Sequence, residues 1–254
     1  MTARAFVLMI LLAAALLAAC SSTTPNMKTE ANARMEMGVN YLRQNNSPAA
    51  MKELTKASEL DPGNPEIVMV LGLAYQSRGD YKKAEKYLRR AIDMKSDYSE
   101  AHNNLGYLLS LQGRGKEAIR EYEKAVGNVL YQTPEVGYTN MAEEYRRLKD
   151  PKKAGEMYRK AISFNSGYAA AYRGLAAVQS GQSLWADAAK TLGQCIASAP
   201  EFWPCRMDLA AVQLRLGKKR EALASYRQVL SGSRDPALRT KAAEYVNLLE
   251  SQLR

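Results

Sequence analysis

Apolar and polar positions alternate along most of the chain in a way that predicts short amphipathic helices. From about residue 31 onward, apolar residues recur three or four positions apart, as along Ala84, Leu88 and Ala91. Turn and cap residues such as Gly79-Asp80 and Asp150-Pro151 interrupt these segments. The pattern therefore predicts an all-α chain of short helices joined by tight turns. A coiled coil would need apolar heptads sustained over longer stretches and fewer turn signals.

Small residues recur along the chain at a fixed interval of 34 residues. Three sets share this interval: Gly38, Gly72 and Gly106, then Ala50, Ala84 and Ala118, then Ala57, Ala91 and Ala125. A period of 34 residues is that of the tetratricopeptide repeat (TPR), a helix–turn–helix unit. Small side chains let two helices cross closely, and a large residue such as Leu54 or Tyr122 fills the space beside them. The sequence therefore predicts a TPR helix-pair solenoid, wound as a right-handed superhelix.

About six repeats and a C-terminal capping helix fit between residues 31 and 254. The repeats begin near Ala31, Pro65, Ser99, Glu135, Ala169 and Trp203. An insertion around residues 131–134 shifts the frame between the third and the fourth repeat. The last segment, from about Pro236 to Leu253, is predicted to cap the stack.

The N-terminal segment has a different character from the repeats. Arg4 precedes an unbroken apolar run from Ala5 to Ala19, and this run ends in Leu17-Ala18-Ala19-Cys20. A basic residue, an apolar stretch and a small-residue ending predict a secretory signal peptide over residues 1–19. The run is shorter than the ~20 apolar residues of a membrane-spanning helix. The ending resembles the lipobox of bacterial lipoproteins, which implies cleavage before Cys20 and a lipid on its thiol. An ordinary signal peptide with a chance Cys, or a retained anchor helix, is the alternative.

Residues 20–30 are expected to connect the lipid to the repeats. They are rich in Ser, Thr, Pro, Asn and Lys, which predicts a flexible tether. By resemblance to proteobacterial lipoproteins, Ser21 rather than Asp after the lipidated Cys implies the outer membrane of a diderm host. The expected location is therefore the periplasmic face of the outer membrane, with a palmitate-type lipid on Cys20 as the anchor.

The composition is basic, with a formal net charge of +10 and a pI of about 9.4. A basic balance can indicate binding to nucleic acid or to an anionic membrane. Predicted export argues against nucleic acid, and Lys and Arg are interspersed with Asp and Glu along the helices. We interpret these charges as solvated helix faces, with a patch for a lipid surface or an acidic partner as the alternative.

Signals for catalysis or metal binding are missing from the sequence. His102 is the single histidine, whereas a Ser–His–Asp set or a zinc site needs further well-placed ligands. The glycines are single and repeat-spaced, unlike those of a phosphate-binding loop. We therefore expect no enzyme activity, no cofactor, no metal and no small-molecule substrate. His102 is expected to be a packed or rim side chain.

The first helix of each pair lines the ligand groove in TPR proteins, and this resemblance assigns the groove positions here. They are Met35, Val39 and Leu42 in the first repeat, Met69 and Leu73 in the second, and Asn103, Asn104 and Tyr107 in the third. Flexible methionines fit irregular apolar surfaces, and Asn amides can hydrogen-bond a peptide backbone. The set predicts a groove for a partner helix or an extended peptide, with core packing of the Met and Val residues as the alternative.

A carboxylate clamp is not expected in this early groove. Chaperone-type TPR domains hold a C-terminal carboxylate with Lys, Asn and Arg at fixed groove positions. Here such positions carry Met35, Val39 and Val70.

Cys195 and Cys205 remain as an even pair once Cys20 is assigned to the lipid. An exported protein meets an oxidising compartment, where such pairs form disulfides. Cys195 lies near the end of one predicted helix, and Cys205 lies in the first turn of the next. Their Cα atoms can therefore come within the ~4.4–6.8 Å that a bridge requires. A buried Cys195 in place of the usual Ala, with Cys205 free, is the alternative.

The chain resembles the type IV pilus biogenesis lipoproteins of the PilF and PilW family over most of its predicted mature length, and the lipobox, the six repeats and the late cysteines also fit. The matching residues are Ala101-His102-Asn103-Asn104-Leu105-Gly106-Tyr107, then Gln112-Gly113-Arg114 and Glu117-Ala118, then Tyr131, Thr133, Pro134 and Glu135 at the insertion. The chain departs from the family where Leu108 and Leu109 replace a frequent Cys. The resemblance implies a pilotin, which escorts or stabilises the outer-membrane secretin and holds a segment of the secretin subunit in its groove. Two other functions stay open: a subunit of the outer-membrane protein assembly machinery, and an adaptor for cell-wall hydrolases.

Overall fold

The computed structural model describes residues 25–253, and these residues form thirteen α-helices. The predicted signal peptide, Cys20 and residues 20–24 of the predicted tether lie outside the described residues. Among residues 25–253, no helix has the length and the apolar content needed to span a membrane.

The helices group into two compact units, one up to Ala101 and one from His102 onward. The first unit contains α1 (Pro25–Arg43), α2 (Ser47–Leu60), α3 (Pro65–Ser77) and α4 (Tyr81–Met94). The unit boundary falls inside α5 (Ser99–Leu111). The second unit continues with α6 (Gly115–Gly127), α7 (Pro134–Arg147), α8 (Pro151–Phe164), α9 (Ala169–Gly181), α10 (Trp185–Ser198), α11 (Trp203–Arg215), α12 (Lys219–Gly232) and α13 (Pro236–Leu253).

The helix pairs match the predicted repeats, so the all-α TPR fold is confirmed. The large residue next to each helix crossing is at most 1% exposed in all six pairs: Leu54, Leu88, Tyr122, Tyr158, Leu192 and Tyr226. A Cβ atom added to Gly38 would lie 2.5 Å from Leu54 Cγ, and one added to Gly106 would lie 2.6 Å from Tyr122 Cε1. The helices of these pairs cross too closely for a side chain at the glycine.

Local signals begin and end the helices where the sequence predicts. Asp80 accepts a hydrogen bond from the Lys83 backbone N–H at 3.1 Å, and Asp150 accepts one from the Lys153 N–H at 3.0 Å. These contacts cap the second helix of a pair. Gly79 takes a positive φ of 76°, which allows the tight turn before α4. The capping helix α13 has the predicted bounds.

The tether prediction is wrong for residues 25–30. These residues form the first turns of α1, and Asn26 to Glu30 are exposed. The helix continues without a break into Ala31, which is fully buried. A proline at the first helical position is compatible with helix initiation, so Pro25 starts the helix rather than marking a flexible segment.

Candidate partner-binding faces

The predicted groove residues of the first unit are less exposed than the TPR template suggests. Met35 and Met69 are each only 8% exposed, whereas Val39, Leu42 and Leu73 are partly exposed. Met35 shares the inward face of α1 with Ala31 and Gly38, because residues three and four apart lie on one side of a helix. The two methionines therefore contribute little to the outer surface.

Helix α3 explains the burial of Met69. It packs against α1, α2 and α4, and Ile67 to Leu71 are all buried. A helix surrounded in this way has little room for an outward groove position. Of the predicted groove residues, Val39, Leu42 and Leu73 remain partly exposed on these first helices, and their binding of a partner stays a prediction.

The groove residues predicted in the third repeat lie in the second unit. The Asn103 side-chain oxygen on α5 accepts a hydrogen bond from Asn140 Nδ2 on α7 at 3.1 Å. Tyr107 is 45% exposed, and Asn104 is partly exposed. The Asn103–Asn140 pair thus links the first helices of two consecutive repeats, and Tyr107 presents an aromatic surface beside it.

His102 is buried, as expected, and belongs to a charged cluster. His102 Nδ1 lies 2.7 Å from Glu121 Oε2, and Lys124 Nζ donates to Glu121 Oε1 at 2.9 Å. Burial alone would raise the pKa of Glu121, but the hydrogen bonds from His102 and Lys124 outweigh it and lower the pKa to about 2. The His102–Glu121 contact joins α5 to α6, so the cluster has a structural role.

A second buried polar network joins α5 to α7. Ser110 Oγ donates to Glu144 Oε1 at 2.5 Å, and Arg147 Nη1 donates to the same oxygen at 2.8 Å. Glu144 is 3% exposed, so these donors compensate a carboxylate removed from water. Only the Glu144–Arg147 spacing of three residues signals this network in the sequence, because Ser110 belongs to the preceding repeat.

An open pocket of about 430 Å³ lies between α9, α11 and the first residue of α10. We call it the C-terminal pocket. Its lining includes Arg173, Ala177 and Ser180 of α9, Trp185 of α10, and Asp208, Ala211 and Arg215 of α11. Helices α9 and α11 are the first helices of the fifth and sixth repeats, so the pocket occupies the face that holds ligands in TPR proteins.

The two arginines of the C-terminal pocket differ in their partners. Arg173 Nε donates to Asp208 Oδ2 at 2.6 Å, and its guanidinium lies 6.0 Å from the Phe202 ring centre. Arg215 stacks over the Trp185 ring at 5.9 Å and has no ion pair with any residue between 25 and 253. Arg173 is therefore held by a carboxylate, whereas Arg215 is positioned only by an aromatic ring.

The groove template, applied to the fifth and sixth repeats, assigns part of the pocket lining from the sequence. The positions that give Asn103 and Tyr107 in the third repeat give Arg173 and Ala177 in the fifth and Met207 and Ala211 in the sixth. Asp208 takes the position of Asn104. A single Arg or Ala on a helix face does not by itself predict a binding pocket. The pocket becomes visible only when the two helices lie side by side.

Cys195 and Cys205 form a disulfide beside this pocket. Their Cα atoms lie 6.3 Å apart, and both residues are fully buried. The bridge joins the end of α10 to the first turn of α11 and lies in the same core cluster as Leu192 and Val212. It therefore ties the helix that carries Arg215 to the preceding helix. Among residues 25–253, no cluster of His, Cys, Asp and Glu has the composition of a metal site.

Comparisons with known proteins agree with the repeat architecture. Residues 35–99 and 69–131 match one tetratricopeptide repeat family profile, and residues 137–168 match a second. The chain is 29% identical over 172 residues to the type IV pilus assembly protein PilF of Pseudomonas aeruginosa, an alignment that covers 65% of this chain and 68% of that protein.

Two solved structures resemble the fold over most of the chain. A structure of Pseudomonas aeruginosa PilF has a TM-score of 0.70 at 19% identity and covers 86% of this chain and 99% of that one. The structure of PilW, described as a widely conserved type IV pilus biogenesis factor, has a TM-score of 0.69 at 20% identity, with 83% and 97% covered. At these identities the structural likeness supports the shared fold.

Proposed function

The chain belongs to the tetratricopeptide repeat proteins of the PilF and PilW type, and from this membership we propose that it is a non-enzymatic assembly factor for type IV pili. The observation that carries the proposal is the 29% identity to PilF over 172 residues, since this alignment extends beyond a single repeat. TPR arrays bind protein segments along their first helices. The proposed partner is the subunit of the outer-membrane secretin, which makes the protein a pilotin.

The proposed role places the protein on the periplasmic face of the outer membrane. The lipobox ending at Cys20 and the following Ser21 support this location. A lipid anchor would keep the repeats close to the membrane into which the secretin inserts. Stable anchoring generally takes more than one acyl chain, and a diacylglyceryl group with an acylated amine supplies three.

The proposed action is binding without chemistry. A partner segment held on the first helices would be kept apart from other secretin subunits until it reaches the outer membrane. The described residues offer two such faces: the apolar surface with Leu73 in the first unit, and the C-terminal pocket in the second.

The experiment that tests this function is deletion of the gene followed by measurement of secretin multimers. Envelopes are separated on a density gradient, and heat-resistant multimers are detected in the outer-membrane fraction. The proposal expects these multimers to be lost or to shift to the inner membrane, and the wild-type gene should restore them. Cys20→Ala should leave the protein uncleaved or soluble and fail to restore outer-membrane multimers.

The same strain separates the alternative functions. Unchanged secretin multimers with reduced porin levels would indicate outer-membrane protein assembly instead. Unchanged multimers with altered cell-wall hydrolysis would indicate a hydrolase adaptor. Either result would contradict the pilotin proposal.

A further inference from the structure

The C-terminal pocket has an excess of positive charge that the described residues do not neutralise. Arg173 is paired with Asp208, so these two charges compensate each other. Arg215 has only the Trp185 ring as a partner within residues 25–253, and it is exposed. One guanidinium is therefore available to an anionic ligand.

Arg215 is also held in a favourable orientation. Stacking on an aromatic ring restricts the guanidinium plane, so less freedom is lost when it binds an anion. A carboxylate suits this site because the planar fork of Arg can donate two parallel hydrogen bonds to its two oxygens. The Asp208 carboxylate in the same pocket disfavours a multiply charged ligand, such as a phosphate head group.

The remaining lining explains which molecule could carry the carboxylate. Ala177 on α9 and Ala211 on α11 are small and exposed, so a ligand can approach both helix backbones closely. The pocket volume of about 430 Å³ is that of a site for a few side chains rather than for a whole helix. An extended peptide with an acidic residue beside an apolar residue satisfies both the charge and the apolar wall.

We propose that the C-terminal pocket binds an extended segment of the protein partner through a carboxylate on Arg215, with an apolar neighbour of that acid packed on Ala177 and Ala211. This inference rests on the proposed function, because it specifies the chemistry of the segment that the assembly factor holds. The acid is a side chain within the segment, which distinguishes the site from a clamp for a chain terminus.

The partner segment is identified first by site-specific photocrosslinking in cells. A benzophenone amino acid replaces Ala211 in the full chain, and a second protein carries it at Ala224, an exposed alanine on α12 outside the pocket. The crosslinked peptide is mapped by mass spectrometry. The proposal expects a crosslink from position 211 to one protein segment that contains Asp or Glu, and none to that segment from position 224.

The charge contact is then measured with two synthetic peptides against the full chain in detergent. One peptide has the mapped sequence, and the other replaces its acid by the corresponding amide. Loss of a charge-assisted hydrogen bond should weaken binding by about tenfold or more. Arg215→Gln should cause the same loss with the acidic peptide and no further loss with the amide peptide, because both changes remove one interaction.

Two further variants test whether the charges in the pocket change the peptide affinity in the expected direction. Asp208→Asn removes the carboxylate that competes for Arg173 and repels the ligand, so it should tighten binding of the acidic peptide. Arg220→Gln removes an exposed charge on α12 outside the pocket and should leave binding unchanged. Helical circular dichroism of each variant checks that the repeats stay folded.

Several results would overturn the inference. They are a crosslink from position 211 to lipid or to no protein, a mapped segment without an acid, or peptide affinities that do not respond to Arg215→Gln and Asp208→Asn. The Arg215→Gln variant could restore secretin multimers in the deletion strain to the same level as the wild-type gene. That result would exclude the pocket as the partner site but would leave the proposed pilotin function intact. If deletion leaves the multimers unchanged, the pilotin function fails independently of the pocket.

Discussion

Removal of the Cys195–Cys205 bridge is expected to destabilise the C-terminal repeats while leaving the first unit unchanged. The perturbation is the double substitution Cys195→Ala and Cys205→Ala. Both cysteines are fully buried, and Ala is the usual residue at the repeat position of Cys195. Each substitution removes only the sulfur atom, so the change in side-chain volume is small. The main loss is therefore the cross-link itself.

The magnitude follows from the length of the closed loop. The two cysteines are 10 residues apart in sequence, and the chain-entropy relation for a loop of this length gives about 3 kcal/mol at 25 °C. Because each repeat contacts mainly its neighbours, the effect should be confined to α10 and the helices packed near it. A change of about 3 kcal/mol corresponds to roughly a hundredfold faster exchange of amide hydrogens that require opening of this region.

Hydrogen exchange followed by mass spectrometry resolves this effect along the chain. Peptides from α9 to α11 should exchange faster in the variant, because α10 packs against α9 and α11. Peptides from α1 to α4 serve as the internal control. A reductant should bring the wild type to the behaviour of the variant and leave the variant unchanged. Equal exchange in both proteins, or two alkylatable thiols in the freshly isolated wild type, would refute the reasoning.

Three further changes test other parts of the structure. The pKa of Glu121 is lowered from 4.5 to about 2, so its hydrogen bonds with His102 and Lys124 stabilise the protein above pH 4.5, and this stability is lost as the pH falls from 4.5 towards 2. Glu121→Gln should abolish that part of the pH dependence in urea unfolding. Gly106→Val should lower the free energy of unfolding by about 1–3 kcal/mol, because the new valine side chain meets Tyr122. Gly127→Ala should be neutral, because its Cβ atom enters open space, and equal effects of the two substitutions would contradict the packing argument. Leu73→Glu should weaken pull-down of the secretin subunit with helical circular dichroism unchanged, and full retention by a folded variant would exclude this face.

The repeat architecture could be predicted because it depends on residues with a fixed spacing. Gly38, Gly72 and Gly106 each face a large residue of the paired helix, which leaves no room for a side chain. The same contact recurs in each pair, so the spacing of these glycines can be recognised from the sequence alone. The caps at Asp80 and Asp150 and the bounds of α13 follow from equally local rules.

The binding faces could be predicted only in part, because their character depends on neighbouring helices. The template places Met69 on the groove side of its repeat, but it does not contain the packing of α3 against three other helices, which buries that side chain. The Ser110–Glu144 contact and the C-terminal pocket likewise combine residues from different repeats. These sites form only where residues of different repeats lie side by side, so the residue pattern of a single helix does not predict them.

The close contacts at the helix crossings have a consequence for how such a chain can change its length. In each of the first three repeats, the glycine and the large residue that excludes a side chain there belong to the same 34-residue unit. A duplication or loss of one whole unit therefore carries both halves of the contact together. A change of half a unit would instead place a large residue opposite a helix that has no matching gap. Such a chain is therefore expected to gain or lose length in whole repeats. An insertion such as the one at residues 131–134 is tolerated because it falls in the connection between two units.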